Sequence, residues 1–83
     1  MIQIKDIKDM VSKYKTISAQ KAFLTREIKA FREYYMDLKN AYEKRQGGYI
    51  YGWYLGKKIY RRDVENSKME LEILEKYKSQ NYG

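Results

Sequence analysis

The chain has no cysteine, no histidine and no proline in 83 residues. Each absence removes a class of chemistry or of structure. Without cysteine there is no disulfide staple and no thiolate metal site. Without histidine, a zinc, copper or haem centre would rest on carboxylates, which suit such ions poorly. A Ser–His or Cys–His nucleophilic centre cannot be assembled. Without proline the strongest helix breaker is missing, and long helices are favoured. No apolar run approaches the roughly 18 residues of a membrane span. The opening stretch MIQIKDIKDMV has acids where a signal peptide would be apolar. We therefore expect one small domain over residues 1–83, cytoplasmic, with no cofactor, no metal, no membrane and no small-molecule substrate.

What is present is positive charge and tyrosine. The net charge is +7, and ten residues are tyrosine. The charge is uneven. Residues 1–46 hold eleven Lys/Arg against six acids, residues 47–62 hold four against none, and residues 63–83 hold three against five. The middle is the densest positive segment, and such a balance suits polyanions or acidic protein surfaces as partners.

Helical periodicity dominates the first half. Residues 6–15 place Ile7, Met10, Val11 and Tyr14 on one face, with Asp6 as a cap. Ile2 and Ile4 alternate with polar residues, as in a short strand or a helix start. Thr16-Ile17-Ser18 is a candidate joint, because Thr16 and Ser18 both cap well. Beyond it, Leu24, Ile28, Phe31, Tyr35, Leu38 and Tyr42 recur at spacings of 4, 3, 4, 3 and 4. That is a heptad seam. Continued backwards it meets Lys21, Ile17, Tyr14, Met10 and Ile7, so one helix over 6–45 competes with a pair broken at the joint. Gly47-Gly48 would end the helix, with Lys44 and Arg45 where the dipole favours cations.

Residues 64–79 read as a shorter last helix. Asp63 is a candidate cap, Ser67 with Glu70 a capping box, and residues 80–83 a frayed tail. This helix is too short to cover the whole seam unless the chain folds back at Thr16–Ser18 or finds a partner; the favoured reading is a helical-bundle homodimer with Leu24, Ile28, Phe31, Tyr35, Leu38 and Tyr42 along the seam. Bulky aromatic seam residues argue against a tight two-stranded zipper.

Between the helices lies GGYIYGWYLGKKIYRRD, with four of the five glycines and the only tryptophan. Two interior glycines and crowded Tyr, Ile and Trp disfavour a helix. Leu-Gly-Lys-Lys suggests a type II′ turn with Gly56 first. The result is a hairpin over 48–62 that pairs Tyr54 with Ile59 and Trp53 with Tyr60. One face carries Tyr49, Tyr51, Trp53, Leu55, Lys58, Tyr60 and Arg62; the other carries Ile50, Gly52, Tyr54, Ile59 and Arg61. The smaller, more apolar second face would pack on the long helix.

The expected fold is mostly α with a short β-hairpin: a long N-terminal helix, continuous or broken at the joint, the hairpin, then a shorter helix. The expected contact residues are Tyr51, Trp53, Lys57, Lys58, Tyr60, Arg61 and Arg62. Cations meet phosphate and aromatic rings stack on unpaired bases, so the first reading is a non-enzymatic binding protein whose partner is nucleic acid or a nucleic-acid-binding protein. Interfaces also favour Trp, Tyr and Arg, so an inhibitor or adaptor that grips another protein is the alternative. Trp53 and the tyrosines as plain core is the third reading. A winged helix fits the element order, but the second helix is too long for a compact recognition helix. No carboxylate pair or phosphate-binding glycine loop suggests catalysis. In composition alone the chain resembles small accessory proteins of phages and mobile elements, a likeness that assigns no residue a role.

Overall fold

The computed structural model describes residues 3–45 and 50–83. Three helices and one two-stranded antiparallel hairpin follow in the order α1 (Ile4–Val11), α2 (Ile17–Glu43), β1 (Gly52–Tyr54), β2 (Lys57–Ile59) and α3 (Arg61–Tyr82). The expected helical stop at Gly47-Gly48 and the start of the hairpin at 48–49 lie outside the described residues.

The long periodic segment is broken. Residues 12–16 separate α1 from α2, and Thr16 caps α2 by accepting the Ala19 N–H at 3.1 Å. The joint thus ends at Thr16, the first residue of the expected Thr16–Ser18, while Ile17 and Ser18 are already helical. The first helix starts and ends earlier than the expected 6–15. Ile4 is its first residue rather than part of a strand. Asp6 does not begin the helix; it sits in the first turn and accepts the Gln3 N–H at 2.9 Å. Within the joint, Tyr14 folds back onto α2. Tyr14 stacks on Phe23 with ring centres 5.0 Å apart, and Gln20 Nε2 donates to the Tyr14 carbonyl at 2.9 Å.

α2 spans 27 residues, about 40 Å at the α-helical rise. It ends at Glu43, short of the expected 46. Arg45 curls back, donating to the Tyr42 carbonyl at 2.9 Å with its guanidinium 3.9 Å from the Tyr42 ring centre. That carbonyl also accepts the Arg45 backbone N–H at 3.3 Å.

α3 is longer than expected, 22 residues instead of about 16. Two differences account for this. At its start, Arg61 and Arg62 are helical rather than hairpin residues, and Asp63 lies in the first turn, where its carboxylate accepts the Tyr60 N–H at 2.7 Å. At its end the tail is not frayed. The Tyr82 hydroxyl donates to Gln20 Oε1 at 2.7 Å, and its ring lies 6.3 Å from that of Tyr77. Ser67 is interior and buried, donating to the Val64 carbonyl at 2.7 Å, so it caps nothing.

α3 runs antiparallel to α2, as the Tyr82–Gln20 bond and the Arg32–Glu75 ion pair at 3.2 Å require. Its apolar face closes much of the seam within one chain. Ile7 and Val11 of α1, Leu24 and Ile28 of α2, and Leu71, Leu74 and Tyr77 of α3 form the core. Leu38 is buried as well, while Phe31, Tyr35 and Tyr42 are half-buried. The expectation of an uncovered seam rested on a short last helix, and that premise does not hold.

The radius of gyration is 15.1 Å, against about 12 Å for a compact chain of this length. The molecule is a rod, with the three-helix core toward one end and the hairpin against the C-terminal half of α2. No helix among the described residues is long and apolar enough to cross a membrane.

Candidate nucleic-acid interface

The hairpin pairs Gly52 with Ile59, Trp53 with Lys58 and Tyr54 with Lys57. The expected register was two residues away. Leu55 and Gly56 form the turn, with φ of 50° and 77°, which is type I′ rather than II′. Lys57 therefore leaves the turn and enters β2. Because side chains alternate with period two, a slip of two residues leaves Gly52, Trp53, Tyr54, Lys58 and Ile59 on their expected faces.

One face packs on α2. Gly52 is buried against the α2 backbone, and Ile59 is buried too. The Tyr54 ring meets Tyr34 edge-on at 6.1 Å, and its hydroxyl donates weakly to Asp37 at 3.4 Å. Desolvation first, then the charge and hydrogen bond of Asp37, push the Tyr54 hydroxyl above the ordinary tyrosine pKa. Ile50 is the exception: assigned to this packed face, it is 74% exposed. It lies outside β1, beyond the stretch that α2 covers.

The opposite face carries a chain of aromatic rings. Trp53, 58% exposed, meets Tyr51 edge-on at 5.8 Å, and Tyr51 meets Tyr60 at 6.1 Å. Cations sit on these rings. Lys58 Nζ is 4.6 Å from the Tyr51 ring centre, and the Arg62 guanidinium is 5.3 Å from that of Tyr60. Such contacts hold the charges over π-faces while leaving them exposed. Five of the seven expected contact residues therefore meet on one surface: Tyr51, Trp53, Lys58, Tyr60 and Arg62.

The other two stand apart. Lys57 pairs with Tyr54 and so belongs to the opposite face, at the exposed tip. Arg61 is in the first turn of α3, where Glu65 takes its Nε at 3.1 Å.

Sequence reasoning missed the neighbours of this face. An open cleft of about 680 Å³ separates β1 from the end of α2, with Trp53 and Tyr51 on one side and Asn40, Lys44 and Arg45 on the other. Lys44 and Arg45 were read only as partners of the helix dipole. Their charge was visible; their nearness to Trp53 follows from the docking of Gly52 on Ala41. Leu55, expected as a strand residue on the ring face, stands in the turn instead. It is 83% exposed with a left-handed backbone. For a residue with a Cβ that conformation costs about 1 kcal/mol.

No protein-family model matches the chain, and neither a curated protein nor a solved structure matches it significantly.

Proposed function

We propose that the protein is a non-enzymatic nucleic-acid-binding accessory protein that uses the hairpin end of the rod. One observation carries the reading. The rings of exposed Trp53 and half-buried Tyr51 and Tyr60 lie together on one face, with Lys58 and Arg62 over the two tyrosines. Rings offer stacking to bases, at roughly 1–3 kcal/mol per base, and cations neutralise phosphates. Lys44 and Arg45 extend the positive surface across the cleft. Two acids border this surface: Asp37, which lines the cleft and accepts the Tyr54 hydroxyl, and Asp63, which accepts the Tyr60 N–H and lies 4.0 Å from Arg62.

Trp53 is the only tryptophan, so its fluorescence reports on this face. Oligonucleotide should quench it, and log affinity should fall linearly with log salt. No binding of single- or double-stranded DNA or RNA at about 50 mM salt, where such contacts are strong, would end the proposal.

The exposed Ile50 beside this surface favours a second reading, an inhibitor or adaptor that grips another protein. Phosphate has no use for an exposed isoleucine, whereas a protein interface buries it. Recovery of one protein partner that survives nuclease treatment would select this reading. The homodimer belongs to either version and would use the half-covered edge of Phe31, Tyr35 and Tyr42. A strict monomer in sedimentation equilibrium would remove it.

A further inference from the structure

We infer that Leu55 is a wedge that inserts between stacked bases of duplex nucleic acid, an inference that rests on the nucleic-acid reading above. The argument starts from a conflict. A type I′ turn needs φ > 0 at both central residues and favours Asn-Gly or Gly-Gly. This chain places leucine at the first position, with φ of 50°. No burial compensates, since the side chain is 83% exposed, and a Cβ added to the neighbouring Gly56 would meet nothing within 4 Å. The tip therefore projects an apolar side chain into solvent from a backbone that disfavours it. Strain held without local compensation points to contact with a partner.

The surroundings indicate the chemistry of that partner. Lys57 and Lys58 follow the tip directly, and residues 47–62 hold no acid. Of the described carboxylates beside the hairpin, Asp37 accepts the Tyr54 hydroxyl, and Asp63 accepts the Tyr60 N–H and lies 4.0 Å from Arg62, at the end away from the tip. An apolar point beside cations and next to exposed rings fits a ligand that is anionic outside and flat and apolar inside, which describes a base stack. Leucine is among the side chains that unstack base steps in this way.

Leu55→Asn separates contact from fold, because Asn-Gly suits the turn better than Leu-Gly. Its melting temperature should equal or exceed that of the wild type, which shows the variant to be folded. The probe is a short duplex with 2-aminopurine beside a central TA step, a step that unstacks readily. Wild-type protein should raise the 2-aminopurine fluorescence. Leu55→Asn should bind about tenfold more weakly, the loss expected for one buried leucine, and should leave the fluorescence at the level of the free duplex.

Equal affinity and equal fluorescence for the two proteins would overturn the wedge while leaving nucleic-acid binding intact. Binding confined to single strands would do the same. No binding of any nucleic acid by the wild type would overturn both. Anionic phosphatidylserine vesicles provide the last arm. A blue shift of Trp53 with vesicles, abolished by Leu55→Asn and absent with duplex, would overturn the wedge in favour of a lipid surface.

Discussion

A Cβ placed on Gly52 would stand 2.7 Å from the Ala41 carbonyl oxygen and 3.0 Å from the Tyr42 Cα. Both are backbone atoms of α2 and cannot swing aside. The hairpin docks because position 52 has no side chain. Gly52→Ala should therefore destabilise the protein by about 1–3 kcal/mol, the usual range for overpacking. At this chain length each kcal/mol lowers the melting temperature by roughly 4–8 °C. An unchanged thermal midpoint would show that the hairpin does not rest on α2.

Trp53 and Ile59 test the assignment of the two faces. Ile59 is 6% exposed, and Ile59→Ala should cost about 2–4 kcal/mol as a core truncation. Trp53 loses mainly an edge contact with Tyr51, so Trp53→Ala should cost about 1 kcal/mol or less. Its effect on binding should be the larger one. Chemical denaturation of both variants decides the matter. The reverse order of stability would mean that the hairpin packs through its other face.

Tyr82 tests the end of α3. Its hydroxyl reaches Gln20, whose amide also holds the Tyr14 carbonyl at the α1–α2 joint. One glutamine thus ties the last turn of the protein to its first bend. Tyr82→Phe should cost about 0.5–1.5 kcal/mol, the net worth of one hydrogen bond. Faster amide exchange at residues 12–16 and in the last turn should accompany it. No change in either would mean that the last turn frays in solution.

Tyr54 predicts a response to alkali. Its raised pKa means that the fold favours the neutral phenol. The associated stability is present in full below the unfolded tyrosine value near 10.0 and is lost as pH rises through the higher folded value. Asp37→Asn removes the charge and weakens the hydrogen bond but leaves the desolvation, which is the larger cause. The Tyr54 pKa should therefore fall only part of the way to the ordinary value. NMR titration of the tyrosine ring carbons resolves this. A full return would make Asp37 the dominant cause.

The helices were legible because apolar spacing reports directly on which side of a helix faces a core. Leu24, Ile28 and Leu38 of the seam are buried, and Ile7 and Val11 join them. Helix ends were less legible. Asp6 and Asp63 were taken as caps, yet both accept a backbone N–H from inside the first turn. Acidic residues suit either position, so residue type alone cannot separate them. The tail looked frayed because SQNYG is short and polar. Its order depends on a partner 62 residues away in sequence.

The candidate interface divides the same way. The alternation of Gly52, Tyr54 and Ile59 with Tyr51, Trp53, Lys58 and Tyr60 was readable, and the two-residue error in register left it intact. Ile50, Lys44 and Arg45 were not readable as parts or neighbours of that surface. Whether an apolar residue at a strand end is covered depends on how far the opposing helix extends. Whether a cation at a helix end faces a tryptophan depends on where the hairpin lands.

The sequence by itself determined a helical chain with an aromatic, basic hairpin and one tryptophan on its polar-interleaved side, because periodicity and side-chain alternation are local properties. The tertiary structure decided that the seam is closed largely within one chain, that Leu55 stands strained at the tip, and that Lys44 and Arg45 face Trp53 across a cleft. Those outcomes depend on helix lengths, turn geometry and the close approach of Gly52 to Ala41, which are set by contacts between residues distant in sequence.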